Sequence, residues 1–188
     1  MADPIIYELL GREQAAEHAD EIAALATEVY ADPPFGWDEA RIQRFARRFA
    51  VQLRQPGFAL AEARSGDYLV GIAFGLPLRP STDWWRHLTT TLPPEAATEQ
   101  SGRSFAIGGL LVRAAWRRQF IGSRMHDEIL SKRTEERALA TVLPAATAAQ
   151  RACQSWGWHK IARTRDPDAA AAAGAPLLDV VTVGLAAR

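Results

Sequence analysis

The spacing of hydrophobic residues along this chain changes repeatedly, and each change marks a boundary between a predicted strand and a predicted helix. Short apolar runs predict strands at residues 5–10, 58–64, 68–76, 105–112, 137–143, 158–163 and 178–185. Apolar positions three or four residues apart predict amphipathic helices at 13–30, 39–53, 121–130 and 146–156. Because strands and helices alternate, we expect an α/β protein with a mixed sheet covered by helices on both faces.

Proline, glycine and small polar residues separate these elements. The segment 32–37 contains two prolines and a glycine, which cannot continue a helix, and Asp38 is a natural N-cap for the helix that follows. Residues 65–67, Ser-Gly-Asp, suit a hairpin turn. Gly71 in the second hairpin strand leaves space for a ligand or a neighbouring backbone. Residues 166–176 are predicted to be a loop.

Two aromatic segments are candidates for binding a substrate. Phe35 and Trp37 either line a substrate site or attach the next helix to the core. The long segment 77–103 has no periodicity but carries Trp84, Trp85 and His87, which are costly to leave in water. It is therefore expected to cover either the core or an acceptor pocket, and we favour a lid or acceptor-site role.

Composition narrows the classes of function. The chain has 188 residues, of which 48% are hydrophobic, which suits a single domain over residues 1–188. Its 22 basic and 22 acidic residues give no net charge, so neither nucleic acid nor an anionic membrane is an expected partner. One cysteine, Cys153, and the lack of a leader or long apolar run predict a soluble cytoplasmic protein. The four histidines have no ligand spacing, so no metal site is predicted.

Residues 104–130 carry the clearest chemical signal. A buried strand is predicted to lead through Arg117-Arg118-Gln119-Phe120-Ile121-Gly122 into a helix. The first turn of a helix presents unpaired backbone N–H groups and the positive end of the helix dipole. With two arginines beside it, this loop has the features of a phosphate-binding site.

The pattern Leu111-Val112-(x)3-Trp116-Arg117-(x)4-Gly122 resembles the signature segment of the GNAT superfamily of N-acetyltransferases. The resemblance implies the GNAT fold, a central mixed, mostly antiparallel twisted sheet of six to seven strands flanked by about four helices. It implies acetyl-CoA or another acyl-CoA as donor substrate. The first glycine of the family's loop is Phe120 here, and its ring is expected to crowd the pyrophosphate. The implied donor-binding residues are Leu110, Leu111, Val112, Arg117, Arg118, Gln119, Phe120, Ile121, Gly122 and Ser123.

The resemblance also assigns catalytic positions. The backbone N–H of Leu111 or Val112 would stabilise the oxyanion. The family's usual glutamate base falls on Gly109, and its usual tyrosine acid falls on Cys153, within residues 149–158. Neither usual side chain is retained, so Cys153, or water together with His87, is expected to handle protons. The alternative for Cys153 is a small buried hydrophobic residue.

The function implied is transfer of an acyl group from a pantetheine thioester to the amine of a small molecule. In a second hypothesis the acyl group arrives on an acyl carrier protein. Arg117, Arg118 and Arg124 would then contact the single phosphate or an acidic carrier surface, unless they only form a solvated helix end. A third hypothesis is a GNAT-like scaffold that has lost catalysis or performs thioester hydrolysis or cyclisation. A monomer or a homodimer is expected, and the acceptor is left open.

Overall fold

The structure is a computed structural model, and it describes residues 3–169 and 174–185. The strands are β1 (Ile5–Leu10), β2 (Ala59–Ser65), β3 (Tyr68–Pro77), β4 (Ser104–Val112), β5 (Arg137–Val142), β6 (His159–Arg165) and β7 (Leu177–Gly184). The α-helices of the described residues are α1 (Arg12–Glu17), α2 (Ala19–Ala31), α3 (Glu39–Leu53), α4 (Ile121–Leu130) and α5 (Thr147–Ser155). Each predicted strand is found within two residues of its predicted bounds. Of the predicted loop 166–176, residues 170–173 lie outside the described residues.

All seven strands belong to one sheet with the order β1-β2-β3-β4-β5-β7-β6. The pairs β1–β2, β2–β3, β5–β7 and β6–β7 are antiparallel. The pair β4–β5 is parallel and joins Ser104, Phe105 and Ala106 to residues 137–139. The prediction of a mixed, mostly antiparallel sheet is therefore confirmed.

The single helix predicted over residues 13–30 is wrong, because two helices, α1 and α2, meet at His18. The backbone of His18 leaves the helical region, with φ −97° and ψ 9°. Its imidazole Nδ1 lies 3.0 Å from Oε2 of the buried Glu62 on β2. No proline or glycine marks this break in the sequence, so the hydrophobic periodicity runs through it. The break also raises the number of α-helices above the four predicted.

The chain divides into two compact units, and each is described separately. The first unit consists of residues 1–76 and 107–133. Its core is formed where the apolar stripes of α2 and α3 bury against β2 and β3, with Ile22, Leu25, Phe45 and Phe74 almost fully buried. Burial of such stripes is the main stabilisation of an amphipathic helix. The prediction of one domain over residues 1–188 stays a prediction.

The second unit consists of residues 77–106 and 134–188. One of its hydrophobic clusters joins Leu78, Ala106 and Leu139, with Trp84, Trp85 and Ile161 packed against them. The segment that follows the tryptophans runs along the edge of β6. Leu88 bridges Thr164, the N–H of Thr89 donates to the carbonyl of Arg163 at 2.9 Å, and the N–H of Arg165 donates to the carbonyl of His87 at 2.9 Å. The long segment is therefore hydrogen-bonded to a sheet edge in this region.

Among the residues described, no helix combines the length and the apolar character needed to cross a membrane.

Candidate functional site

The end of β4 is held firmly within the first unit by Arg113. Its Nε donates to the carbonyl of Leu69 at 2.7 Å, and its guanidinium pairs with the carboxylate of Glu28. The guanidinium carbon also lies 4.5 Å from the centre of the Tyr68 ring. Three kinds of contact on one buried arginine fix the point from which the loop to α4 departs.

The loop between β4 and α4 has an unusual backbone. Arg118 has φ 60° and Phe120 has φ 62°, both in the left-handed region that glycine takes most readily. A bulky residue at positive φ is a conformational outlier and is strained. Phe120 therefore keeps the backbone conformation of a glycine at the position where the family's first loop glycine was expected.

Side chains of the loop fold back onto its own backbone. The Nε of Arg117 donates to the carbonyl of Val112 at 3.0 Å, and the Nε2 of Gln119 donates to the carbonyl of Ala115 at 3.3 Å. Phe120, in contrast, is 82% exposed, so its ring is largely in contact with solvent. Crowding of a pyrophosphate by this ring stays a prediction.

The helix that follows begins without a side-chain cap. Phe120 occupies the N-cap position of α4 and makes no capping hydrogen bond. The first N–H groups of a helix have no acceptors within the helix. The start of α4 therefore combines uncapped N–H groups with the positive end of the helix dipole, which are the features that a phosphate site uses.

Gly122 is one of the predicted donor-binding residues and Gly71 lies beside another, and the two glycines differ in how tightly they are packed. A Cβ added at Gly71 would lie 2.8 Å from the carbonyl oxygen of Leu111, so only glycine allows this approach of backbones. A Cβ added at Gly122 would lie 3.5 Å from the Leu110 side chain, which is an ordinary contact. The close approach predicted for Gly71 is made by a neighbouring backbone. Gly122 could be replaced by another small residue.

The expected base position is filled by the core of the first unit. A Cβ added at Gly109 would lie 2.8 Å from the ring of Phe74, and one added at Gly108 would overlap the same ring. Phe74 is completely buried. A glutamate at residue 109 would therefore require this ring to move.

The two predicted proton carriers, Cys153 and His87, both lie in the second unit. Cys153 is on α5 and is half-buried, and its role as acid stays a prediction. Burial raises the pKa of its thiol, which therefore stays protonated at neutral pH. Such a thiol is suited to donate a proton rather than to act as a nucleophile. No hydrogen bond joins these two side chains in the described part of the second unit.

An acidic residue that sequence reasoning missed lies beside the same helix. Asp179 on β7 accepts hydrogen bonds from Gln150 on α5 at 3.2 Å and from Lys160 at 2.5 Å. Burial acts to raise the pKa of Asp179, but the hydrogen bond and charge of Lys160, together with hydrogen bonds from Arg163 and Gln150, lower the pKa overall. Gln150 lies one helical turn before Cys153. These contacts of Asp179 depend on how the strands pair in the sheet, so no local sequence pattern predicts them.

The tryptophans of the long segment pack on the core of the second unit. The indole rings of Trp84 and Trp85 are 4.6 Å apart in an edge-to-face arrangement. The Nε1 of Trp85 donates to the buried Glu99 at 3.1 Å. These contacts are those of a segment that covers the core, one of the two alternatives. A substrate-binding role for the tryptophans stays a prediction.

The aromatic residues after α2 form a stack in the first unit. The rings of Trp37 and Tyr30 are parallel with centroids 3.8 Å apart, and Phe35 meets Tyr30 edge-on at 5.0 Å. The guanidinium of Arg41 lies 4.5 Å from the Trp37 ring. The indole of Trp37 is therefore in close contact with both Tyr30 and Arg41. Binding of substrate by Phe35 and Trp37 stays a prediction. The contacts of Tyr30 and Arg41 with Trp37 were not predicted from the sequence.

Within residues 3–169 and 174–185, no group of three or more His, Cys, Asp or Glu side chains is placed to hold a metal ion.

The sequence matches no protein-family model and no curated protein. Its fold, however, is shared by many solved structures. The loading GNATL domain of CurA from Lyngbya majuscula is 13% identical, with a TM-score of 0.65 over 99% of this chain and 100% of that one. A probable acetyltransferase from Staphylococcus epidermidis ATCC 12228 is 10% identical, with a TM-score of 0.67 over 96% of this chain and 99% of that one.

NAA60 of Arabidopsis thaliana, solved in complex with acetyl-CoA, is 9% identical, with a TM-score of 0.64 over 96% of this chain and 98% of that one. Identities this low establish the architecture and not the substrate. The GNAT resemblance of residues 111–122 and the seven-stranded mixed sheet agree with these likenesses. The chain has the fold of the GNAT acetyltransferases.

Proposed function

We propose that residues 1–188 act as a single N-acyltransferase domain, which moves an acetyl or other acyl group from a pantetheine thioester to the amine of a small molecule. The observation that supports this most is the passage from β4 to α4. Its loop takes glycine-like conformations at Arg118 and Phe120 and leads into a helix that has no side-chain cap. The acetyl-CoA in the Arabidopsis structure supports an acyl-CoA donor.

In the proposed reaction the amine nitrogen attacks the thioester carbon and the carbon–sulfur bond breaks. A backbone N–H of Leu111 or Val112 stabilises the oxyanion of the tetrahedral intermediate. Gly109 supplies no base, so the proton of the amine leaves through water, assisted by His87. The departing thiolate takes a proton from Cys153, whose thiol is protonated at neutral pH. Holding donor and acceptor together supplies much of the rate.

Calorimetric titration with acetyl-CoA tests the donor. We expect a dissociation constant in the micromolar range, which corresponds to a binding free energy of about −8 kcal/mol. Release of free CoA should then follow addition of an amine. Absence of both binding and turnover would contradict acetyl-CoA as donor. Hydrolysis of the thioester at the same rate without amine would instead support altered catalysis on the same scaffold.

The variants Phe120→Gly and Phe120→Ala separate two effects of the ring. Both remove the ring, but only glycine also removes the backbone strain at positive φ. If the ring obstructs the pyrophosphate, both variants gain about 10-fold or more in CoA affinity, which corresponds to about 1.4 kcal/mol. Unchanged affinity in both would contradict crowding by the ring.

A carrier-bound donor is the second candidate, and the exposed surface of the loop favours it. Phe120 is 82% exposed, and the neighbouring Arg117 and Arg118 are exposed as well. Arg124 is a weaker candidate, because it already pairs with Glu128 at 3.0 Å. An acylated carrier protein should bind the wild type, and Arg118→Glu should weaken binding because it reverses a charge at the acidic surface. Arg47→Glu on α3 is the matched control, and an equal loss in both variants would contradict docking at the loop.

A further inference from the structure

Helix α3 carries an excess of positive charge that the rest of the chain does not share. Over the whole sequence acidic and basic residues balance at 22 each. Within Glu39–Leu53 there are four arginines and a single acidic residue, Glu39. The carboxylate of Glu39 accepts a hydrogen bond from Gln43 at 3.2 Å. The excess is therefore a local property of this helix.

Three of the four arginines share one face of α3. Arg41, Arg44 and Arg48 are separated by three and four residues, a spacing that places side chains above one another on a helix. Like charges at this spacing repel and destabilise a helix. Arg47 lies three residues after Arg44 but is exposed, whereas Arg41, Arg44 and Arg48 are half-buried. An anion bound at this face would be attracted by all three guanidinium groups.

The first arginine of this face is held in place by aromatic residues. The guanidinium of Arg41 lies 4.5 Å from the centre of the Trp37 ring. Trp37 is itself stacked on Tyr30 at 3.8 Å. The contact with Trp37 therefore positions Arg41. A pre-positioned guanidinium loses less entropy when it binds an anion.

Tyr30 adds a neutral hydrogen-bond donor beside the same arginines. Burial raises the pKa of its hydroxyl to about 12, although the charges of Arg48 and Arg41 act to lower it. The hydroxyl is therefore protonated at neutral pH and lies within the electrostatic reach of two of the arginines.

Arg44 provides the observation that points to a ligand. Its Nε is buried and has no hydrogen-bond partner among the described residues. Arg44 as a whole is only half-buried. A buried donor without an acceptor destabilises a fold. A carboxylate or phosphate group offers the paired acceptors that match a guanidinium.

We propose that Arg41, Arg44 and Arg48, together with Tyr30, form a binding site for the oxyanion of a small molecule. Resting on the proposed acyl transfer, the site identifies the acceptor class as an amine that also carries a carboxylate or phosphate group. The opposing interpretation is an arginine-rich face that is merely solvated.

Titration without an acyl donor tests the site independently of catalysis. Inorganic phosphate and glutarate are the probes, added at constant ionic strength and followed by the NMR signal of the Arg44 Nε–H group. We expect binding in the millimolar range or tighter. Binding of phosphate alone, glutarate alone or both supports the site and distinguishes the two sources of oxyanion. No shift with either probe overturns it.

Variants on the same helix separate a defined site from a general charge effect. Arg44→Gln should lower probe affinity by about 10-fold or more, since a hydrogen bond to a charged group is lost. Arg47→Gln removes the same charge from an exposed position and should change it by less than about twofold. Arg44→Lys keeps the charge without the paired donors, and its affinity for the probe should lie between those of Arg44→Gln and Arg47→Gln. Equal losses in Arg44→Gln and Arg47→Gln, with unchanged thermal stability, overturn the proposal.

Acceptor kinetics connect the site to acyl transfer. β-Alanine and β-alaninamide are amines of similar size, and only the first carries a carboxylate. We expect kcat/KM to favour β-alanine, and Arg44→Gln to remove this preference while Arg47→Gln keeps it. Acylation of both amines without preference would overturn the inference and leave the proposed function standing. Anion binding without acylation would leave the site standing and contradict the proposed function.

Discussion

Phe120 takes a backbone conformation that is costly for its side chain, and it does so at the entrance to a helix. Conformations of this kind cost of order 1–3 kcal/mol each and persist where the surrounding structure determines them. Arg118, two residues earlier, has the same left-handed backbone. The loop shape is therefore maintained without the glycine that would accommodate it easily. We infer that the shape, rather than the residue, is what the protein requires here.

Cys153 yields a prediction at the same scale. Burial raises the pKa of its thiol in the folded protein, whereas the thiol of the unfolded chain titrates near ~8.5. Between the two pKa values the folded state holds more protons than the unfolded state. The free energy of unfolding contributed by this group is therefore fully present below about pH 8 and lost as the pH rises through the folded pKa.

Urea denaturation of the wild type and of Cys153→Ala at pH 7 and at about pH 10 measures this loss. Between the two pH values, we expect the urea midpoint of the wild type to fall further than that of the variant. The other titrating groups are the same in both proteins, so their contributions cancel in the comparison. Equal falls in both proteins would show that the environment of the thiol does not disfavour the thiolate. Loss of acyl transfer in Cys153→Ala would support its role as acid, and unchanged turnover would contradict it.

At the scale of the element, β4 departs from a regular strand where a catalytic base was expected. Successive side chains of a strand point to opposite faces. Cβ atoms at Gly108 and Gly109 would nevertheless both meet the Phe74 ring. That ring packs edge-on against Phe49 at 5.0 Å within the aromatic core. Because residues 108 and 109 are both glycine, this stretch of β4 can pack directly against the Phe74 ring.

Replacing Gly109 by alanine should destabilise the fold by about 1–3 kcal/mol, because the added methyl group overpacks against Phe74. Gly122→Ala is the matched control, since its Cβ would make an ordinary contact at 3.5 Å. We expect the control to be neutral or stabilising by up to about 1 kcal/mol. Denaturation midpoints of the two variants provide the comparison. A tolerated Gly109→Ala would show that Phe74 yields easily and that a base could be accommodated.

At the scale of the whole molecule, buried polar contacts join segments that are distant in sequence. In the second unit, Oε1 of the buried Glu99 accepts hydrogen bonds from Trp85 Nε1 at 3.1 Å, Ser104 Oγ at 2.9 Å and Arg137 at 3.0 Å. The Nε of Arg137 also donates to Ser104 Oγ at 2.8 Å. One carboxylate thus connects the long segment to the first residues of β4 and β5.

Glu99→Ala should destabilise the second unit by about 3–5 kcal/mol, because it leaves the charge of Arg137 without its carboxylate. The exposed Glu95 lies in the same segment, and Glu95→Ala should change stability by no more than about 0.5 kcal/mol. Protease should cut the long segment faster in Glu99→Ala than in the control. Similar stability of the two variants would show that Glu99 is not what holds the segment.

The candidate site was predictable only where its residues lie close together in the sequence. The turn from β4 into α4 was expected from the apolar run, the arginines and Gly122, all within a few residues. Contacts between Tyr30, Trp37 and Arg41 were not expected, because the stack depends on how the chain turns after α2. The partners of Asp179 were missed for a related reason, since pairing of β6 with β7 brings Lys160 beside it.

The sequence by itself determined the positions of the strands and of most helices, since hydrophobic periodicity and turn residues are local properties. It also determined the chemistry available at the loop before α4. Only the tertiary structure decided that helix 13–30 breaks at His18, because the imidazole meets Glu62 from a distant strand. Only the tertiary structure decided that Phe74 fills the space beside Gly109, and that Trp37 contacts both Tyr30 and Arg41. Packing of this kind depends on residues far apart in the chain, which a local pattern cannot bring together.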